Sequence, residues 1–230
     1  GRITIHRIPI ITFPKYLTTI SFAHFVSKKI AAMQFDLVHA HDRIFSADVF
    51  TMHGIPHRVW VKEVRKKRWM SLFDRGTAWV ERRLIENEAC RRLLPVSGLT
   101  RESFLKEYAQ IDPGRMDIVP PGIDAEQFAP VSQKERLSQR AAFGIGPDEF
   151  TILFVSMNFD IKGLDVLLSA LARVKAGQAN KKWRLLIVGK GNRNEYTQKA
   201  ARLGIAEHLI FSGVVAKEEL PRVYSMCDIF

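Results

Sequence analysis

The sequence predicts an α/β fold of two parallel-sheet units in tandem. From residue 151 onward, short apolar runs alternate with segments of helical period. Those runs are apolar throughout, as strands covered on both faces are, and strand–helix alternation of this kind builds parallel sheets from βαβ units. The first half follows the same rhythm more loosely, and no internal repeat of fixed period accompanies it.

Taken in order, the chain opens on an expected strand, Gly1-Arg-Ile-Thr-Ile-His, centred on Ile3 to Ile8. Leu17 to Met33 has an amphipathic period with Ile20, Phe22, Phe25, Val26 and Ile30 inward. Phe35 to Ala40 and Ala47 to Met52 read as strands, and a long basic helical region follows from Arg58 to Leu93, with an interruption expected at Gly76. Leu94 to Ser97 and Met116 to Val119 read as short strands flanking a helix from Thr100 to Tyr108. After Pro120-Pro-Gly122 the pattern is polar, with a small helix near Lys134 to Phe143. The expected boundaries are a first unit over 1–124, a linker over 125–149 and a second unit over 150–230.

The second unit is written more sharply. Thr151 to Val155 is a strand, and Leu164, Leu167, Leu168, Leu171 and Val174 make a helical stripe. Trp183 to Gly189 is a second strand, Glu195 to Leu203 a helix with Gly204 as C-cap, and His208 to Gly213 a third strand. Lys217 to Met226 is a third helix, and Asp228 to Phe230 starts a fourth strand.

Composition bounds the function. The 230 residues are 47% apolar and 26% charged, which excludes a disordered or low-complexity chain. Two cysteines, Cys90 and Cys227, lie far apart, which argues against a disulfide scaffold or a cysteine zinc site and fits a reducing compartment. No apolar run has the roughly 18–20 residues of a membrane span. The net charge is +11, and Arg58–Arg92 alone holds 11 Lys/Arg against 5 Asp/Glu, with Trp60, Trp69, Phe73 and Trp79 interleaved. That segment suits a phosphorylated lipid, a membrane face or nucleic acid, and equally a solvated helix face whose aromatics are core.

In open α/β sheets ligands sit beyond the carboxyl ends of the strands. After Val155 come Ser156, Met157, Asn158 and then Lys162-Gly163 at a helix start. An ammonium beside free helix N–H groups suits a phosphate, although an ordinary solvated lysine fits the same pattern. No P-loop motif is present. Gly189-Lys-Gly191 lets a backbone approach a ligand but lacks the third glycine of a dinucleotide fingerprint. His39, His41 and Asp42 follow one expected strand, and His53 and His57 flank Gly54-Ile-Pro after another. Their spacing is not that of a zincin, so a hydrogen-bonding role ranks above a metal.

Together the motifs resemble glycosyltransferase family 4: Pro95-Val-Ser97, Ile118-Val-Pro-Pro-Gly-Ile-Asp124, Lys162-Gly-Leu-Asp165, Leu186-Ile-Val-Gly-Lys-Gly191, Phe211-Ser-Gly213 and Leu220 to Asp228, in that order. Ala47-Asp-Val-Phe and Gly54-Ile-Pro-His-Arg-Val-Trp60 look most like the lipopolysaccharide core glycosyltransferases. The resemblance implies a GT-B architecture, two Rossmann-like domains facing a cleft, both incomplete here. It implies a first strand before Gly1 and a Glu-x7-Glu region after Phe230, so that this stretch alone would be inactive. It implies retaining, metal-independent transfer from a nucleotide sugar, UDP-type, to a lipid-linked saccharide acceptor, with no cofactor and no nucleic acid. The expected site is cytoplasmic, peripheral at an anionic membrane face.

Residue by residue, the resemblance implies that Lys162, Gly163 and Asn158 hold the donor diphosphate and that Gly189 and Gly191 face the nucleotide. Val214 and Val215 lie near the base, and His53 or His57 stands near the transferred sugar as the catalytic histidine. Arg65, Lys66, Lys67 and Arg68 are assigned to acceptor or membrane. Two departures stand out. The family's common Gly-Arg is Ser156-Met157 here, and the arginine that the lipopolysaccharide branch places before the lysine is Ile161. Two other readings compete: a basic nucleic-acid- or membrane-binding module without catalysis, and a nucleotide-sugar epimerase on the same plan.

Overall fold

The computed structural model describes residues 3–177 and 181–230. They divide into two units, Gly1–Gly122 and Ile123–Phe230.

In the first unit three parallel strands lie in the order β1 (His39–Ala40), β2 (Val49–Met52), β3 (Arg92–Pro95). Helices α1 (Thr18–Met33), α2 (Leu72–Ile85) and α3 (Gly98–Glu107) surround them. Phe50, Met52, Leu84, Ile85, Leu93 and Phe104 form the core, and Phe22, Val26 and Ile30 of α1 pack on it, as the helical stripe predicts. α2 starts at a capping box. The Ser71 hydroxyl accepts from the Asp74 N–H, and the Asp74 carboxylate accepts from the Ser71 N–H, an arrangement worth about 1 kcal/mol.

Several expectations for this unit are corrected. Ile3 to Ile8 is not a strand: no neighbouring strand pairs with it, and Ile3 and Ile5 lie exposed. Gly1 and Arg2, which open that expected strand, lie outside the described residues. Phe35 to Ala40 shortens to the two residues of β1, because β2 offers a ladder only to His39 and Ala40. Met116 to Val119 forms a single bridge, Leu93 to Met116, rather than a strand. The basic helical region is broken at 65–71, not at Gly76. A helical turn at His57–Val59 runs into a π-turn at Trp60–Val64, Lys66 takes a left-handed φ of 51°, and α2 then passes through Gly76 without interruption. The helices pack closely there: a Cβ would lie 3.1 Å from Ile20 Cδ1 and 3.2 Å from the Tyr16 carbonyl oxygen, so a side chain would need its neighbours to give by a few tenths of an ångström.

The second unit carries α4 (Gln133–Ala142), β4 (Phe150–Ser156), α5 (Leu164–Gly177), β5 (Trp183–Gly189), α6 (Arg193–Arg202), β6 (Leu209–Gly213) and α7 (Leu220–Met226). The strands are parallel in the order β4-β5-β6, and Ile229 bridges the other edge of β4 at Ile152. β5 has side chains buried on both faces. Leu185 and Ile187 pack under α5 and α6, and Leu186 and Val188 pack against Val223 and Met226 of α7. This two-faced burial is why β5 reads as apolar throughout. α4 is tied to this unit by Arg140, a fully buried side chain. It donates to the Thr151 hydroxyl at 2.9 Å and to the carbonyls of Glu149 and Met226. Asp228 faces Arg136 at 2.6 Å and accepts from the Thr151 N–H at 2.7 Å.

Candidate functional site

Two clusters of candidate residues form, one in each unit, both at the carboxyl ends of parallel strands. In the second unit the loop after β4 is stitched together by its own side chains. The Ser156 hydroxyl donates to the Asn158 carbonyl at 2.7 Å and accepts from the Asn158 N–H at 2.9 Å. The Asn158 side-chain oxygen accepts from the Ile161 N–H at 3.1 Å, so half of that amide is already engaged. Asp160 accepts from the buried Tyr196 phenol of α6. Gly163 takes φ +76°, a left-handed value that suits glycine, and opens α5.

Lys162 is exposed and, among the described residues, has no carboxylate partner. Its stem lies in a groove of about 350 Å³ along β4, with Val155, Leu167 and Phe230. The sequence pattern missed a further cation, Arg193 at the start of α6, whose guanidinium stands 5.5 Å from the centre of the Phe211 ring in the middle of β6. Only the topology brings these two residues together. Val214 is exposed, whereas Val215 packs on the core against α7.

Gly189 and Gly191 answer first to the protein itself. Gly189 has φ +121°, and a Cβ there would lie 1.8 Å from the Ser156 carbonyl oxygen. A Cβ on Gly191 would lie 2.0 Å from Phe159 Cδ2. The β5 loop is thereby pressed onto the β4 loop, and the Lys190 N–H donates to the Ser156 carbonyl at 3.0 Å.

In the first unit a pocket of about 680 Å³ opens beside β2, lined by Asp42, Arg43, His53, Ile55, Trp60 and Phe73 among others. His53 is exposed, and its Nε2 lies 2.9 Å from His41 Nδ1. His57 also borders the pocket, but it is buried and tied inward. Its backbone N–H donates to Glu81 at 3.0 Å, and its Nε2 pairs with Asp74 Oδ1 at 3.2 Å. Burial, helped by the Arg43 guanidinium, pulls the His57 pKa below the ordinary histidine value against the raising influence of Asp74 and Glu81. His57 is therefore neutral at pH 7 and donates its Nε2–H to Asp74.

The carboxylates that hold this corner are invisible in a sequence reading. Glu81 is wholly buried and accepts from Arg43 Nε at 2.8 Å, the His57 N–H and the Tyr108 hydroxyl at 2.8 Å. Asp74, also wholly buried, accepts from Arg65 Nη1 at 2.9 Å and from Ser71. Burial works to raise its pKa, but the Ser71 hydroxyl and N–H, His57 and Arg65 outweigh it and hold the carboxyl below its usual range. Arg65 is thus turned inward, and it also stands 5.1 Å over the Trp60 ring. Lys66, Lys67 and Arg68 remain exposed, with Trp69 beside them.

Burial pushes the Cys90 thiol up to about 11 and the Cys227 thiol up to about 12, so neither is a thiolate at neutral pH. Among the described residues no group of three or more His, Cys, Asp or Glu converges as a metal site, and no helix is long and apolar enough to cross a membrane.

Two parallel-sheet units with these loops at their strand ends share the fold of the GT-B glycosyltransferases. WaaG, a glycosyltransferase involved in lipopolysaccharide biosynthesis, superposes with a TM-score of 0.80 at 20% identity, covering 97% of this chain and 60% of that one. The Anabaena protein HepE, solved in complex with UDP and glucose, superposes with a TM-score of 0.64 at 18% identity, covering 90% of this chain and 55% of that one. Residues 1–127 match the family described as Glycosyltransferase Family 4, and residues 135–230 match that described as Glycosyl transferases group 1. The chain belongs to Glycosyltransferase Family 4.

Among curated relatives, the D-inositol 3-phosphate glycosyltransferase of Segniliparus rotundus is 32% identical over 130 residues, which is 54% of this chain and 28% of that protein. The GDP-mannose-dependent alpha-(1-6)-phosphatidylinositol monomannoside mannosyltransferase of Mycolicibacterium smegmatis is 33% identical over 136 residues, 59% of this chain and 34% of that protein. The matched stretch is thus about a third of each relative's length.

Proposed function

We propose that this chain forms the core of a retaining, metal-independent glycosyltransferase that moves a sugar from a UDP-type nucleotide sugar to a lipid-linked, negatively charged saccharide. The observation that carries this reading is the stitched loop from Ser156 to Gly163, which presents the unpaired Lys162 at the start of α5, with Arg193 at the start of α6. Cations and helix N-termini suit a departing nucleoside diphosphate, and a preorganised set of this kind does the electrostatic work of a metal. The acceptor hydroxyl then bonds to the anomeric carbon on the face the diphosphate leaves, and the departing phosphate oxygen takes the hydroxyl proton. On this reading His53 meets the transferred sugar, Asn158 and Gly163 shape the diphosphate loop, and Val214 borders the base.

The names of the similar proteins support the substrate classes. HepE is solved with UDP-glucose and with UDP, WaaG is tied to lipopolysaccharide, and the two curated relatives act on inositol phosphate and phosphatidylinositol monomannoside. The exposed Lys66, Lys67 and Arg68 with Trp69 would dock the enzyme on an anionic membrane at its cytoplasmic face. The test is calorimetric titration of the full-length protein with UDP, GDP and ADP, followed by transfer assays with the matching nucleotide sugars on glycolipid acceptors, with and without EDTA. UDP binding and EDTA-resistant transfer with retained anomeric configuration are expected. Affinity for none of the three diphosphates would overturn the reading.

A further inference from the structure

Three imidazoles stand in a row, His39 in β1 itself and His41 and His53 just past the carboxyl ends of β1 and β2. His39 and His41 have ring centroids 4.4 Å apart, and His41 and His53 are 5.2 Å apart and stacked. His39 Nε2 is engaged by the Thr51 hydroxyl at 2.7 Å, and burial, followed by its two histidine neighbours, keeps its pKa below the ordinary value. His41 Nδ1 and His53 Nε2 are 2.9 Å apart, so one proton lies between them. Of the charged groups nearby, the Arg43 guanidinium is held by Glu81, and the exposed Asp42 carboxylate, which lines the same pocket, accepts from the Arg43 backbone N–H at 2.7 Å.

A neutral imidazole has one N–H and one bare nitrogen. If His41 Nδ1 holds the shared proton, His41 Nε2 is bare. His53 Nε2 then accepts, which leaves His53 protonated at Nδ1. If His53 Nε2 holds the shared proton, its Nδ1 is bare, and His41 carries its proton on Nε2. Both rings are therefore Nδ1–H or both are Nε2–H. His53 has only Nδ1 left for a ligand in the pocket it lines with Arg43 and Trp60.

We infer that His41 is a positioning residue for His53: the bond between them locks the two tautomers together and so sets whether His53 meets its ligand as a donor or as an acceptor. This rests on the reading of His53 as a sugar contact of a glycosyltransferase. Switching between the two states balances. A proton leaves His53 Nδ1 for the ligand, the shared proton passes from His41 Nδ1 to His53 Nε2, and a proton from water lands on His41 Nε2. Each ring gives up one proton and takes one.

The test uses full-length protein labelled with ¹⁵N-histidine, with tautomers read from long-range ¹⁵N–¹H NMR couplings. His41 and His53 should show the same tautomer. His41→Phe keeps the ring stack and removes the nitrogen, so His53 should relax to a mixture. His41→Asn places an amide atom where Nδ1 was and should keep His53 Nε2 hydrogen-bonded, the amide turning its oxygen or its nitrogen toward it. Opposite tautomers in the wild type, or a His53 indifferent to His41→Phe, would overturn the coupling.

In transfer assays, His41→Phe should lower kcat about tenfold, the worth of one hydrogen bond, at little change in donor KM, with His41→Asn recovering most of it. Matched tautomers with an unchanged kcat would overturn the positioning role. A wild type without any transfer would refute the glycosyltransferase reading, while the NMR comparison would still decide the coupling.

Discussion

The Tyr196 phenol of α6 donates a hydrogen bond to the Asp160 carboxylate, in the loop that carries Lys162. Tyr196 is 2% exposed, and burial followed by Asp160 itself raises its pKa, so the donor stays protonated at any physiological pH. Tyr196→Phe should keep the ring packing, lower stability by about 1 kcal/mol and loosen the loop. UDP affinity should fall a few-fold while uridine affinity holds. Calorimetry on both ligands reads the difference, and equal losses would show that the bond serves only the fold.

Lys162→Ala should leave the melting temperature unchanged, because the side chain is exposed and unpaired among the described residues. Its loss should weaken UDP binding about ten- to a hundred-fold, the range of a hydrogen bond to a charged group, and leave uridine untouched. Unaltered UDP affinity would mark it as an ordinary solvated lysine.

The two pocket histidines should separate cleanly. His57→Ala removes a buried donor to Asp74 and should cost about 2–3 kcal/mol in urea unfolding. His53→Ala should unfold like wild type and instead lose turnover. The reverse ranking would exchange their roles.

His57 also predicts a pH dependence. Its folded pKa is lowered below the ordinary 6.5, so in the window beneath 6.5 the unfolded chain binds more protons than the folded one. The stability it contributes is present above 6.5 and is lost as pH falls from there through the folded pKa. His39, whose pKa is also lowered, acts in the same sense. Urea midpoints between pH 7.5 and 5 should drop less steeply in His57→Gln than in wild type, and parallel slopes would refute this.

On anionic vesicles, charge reversal of Lys66, Lys67 and Arg68 should abolish a salt-sensitive co-sedimentation that neutral vesicles never show. Arg65→Ala should chiefly destabilise the first unit, since that guanidinium neutralises the buried Asp74. Equal pelleting with both vesicle types would remove the docking surface.

What was legible in the sequence follows burial. β4, β5 and β6 stand out because β5 is covered on both faces, which forces an unbroken apolar run from Leu185 to Val188. β1 was overread because an apolar segment announces a strand, whereas its length depends on partners elsewhere in the chain. The break at 65–71 carries no glycine or proline and was missed. It is imposed from a distance by Arg65 reaching Asp74 and by Lys66 turning left-handed. Glu81 and Asp74 were hidden for the same reason. In a helix so rich in arginine a carboxylate reads as surface charge, and it is Arg43, Tyr108, His57 and Arg65, contributed by other segments, that make it core. Lys162 and His53 stand out as candidates in the sequence because one sits beside a glycine at a helix start and the other directly follows a strand.

The bonds of Arg140 and Asp228 have a practical meaning for anyone cutting or splicing this chain. Every partner of the Arg140 guanidinium lies between Glu149 and Asp228, so α4 travels with the sheet it precedes. From Asp117 to Pro130, by contrast, no residue is buried. A protease offered the native protein should nick that stretch first and yield two resistant pieces. A chimaera that exchanges the second unit should be joined there too, ahead of Ser132, because a seam placed at Phe150 would leave a buried guanidinium stranded without its acceptors.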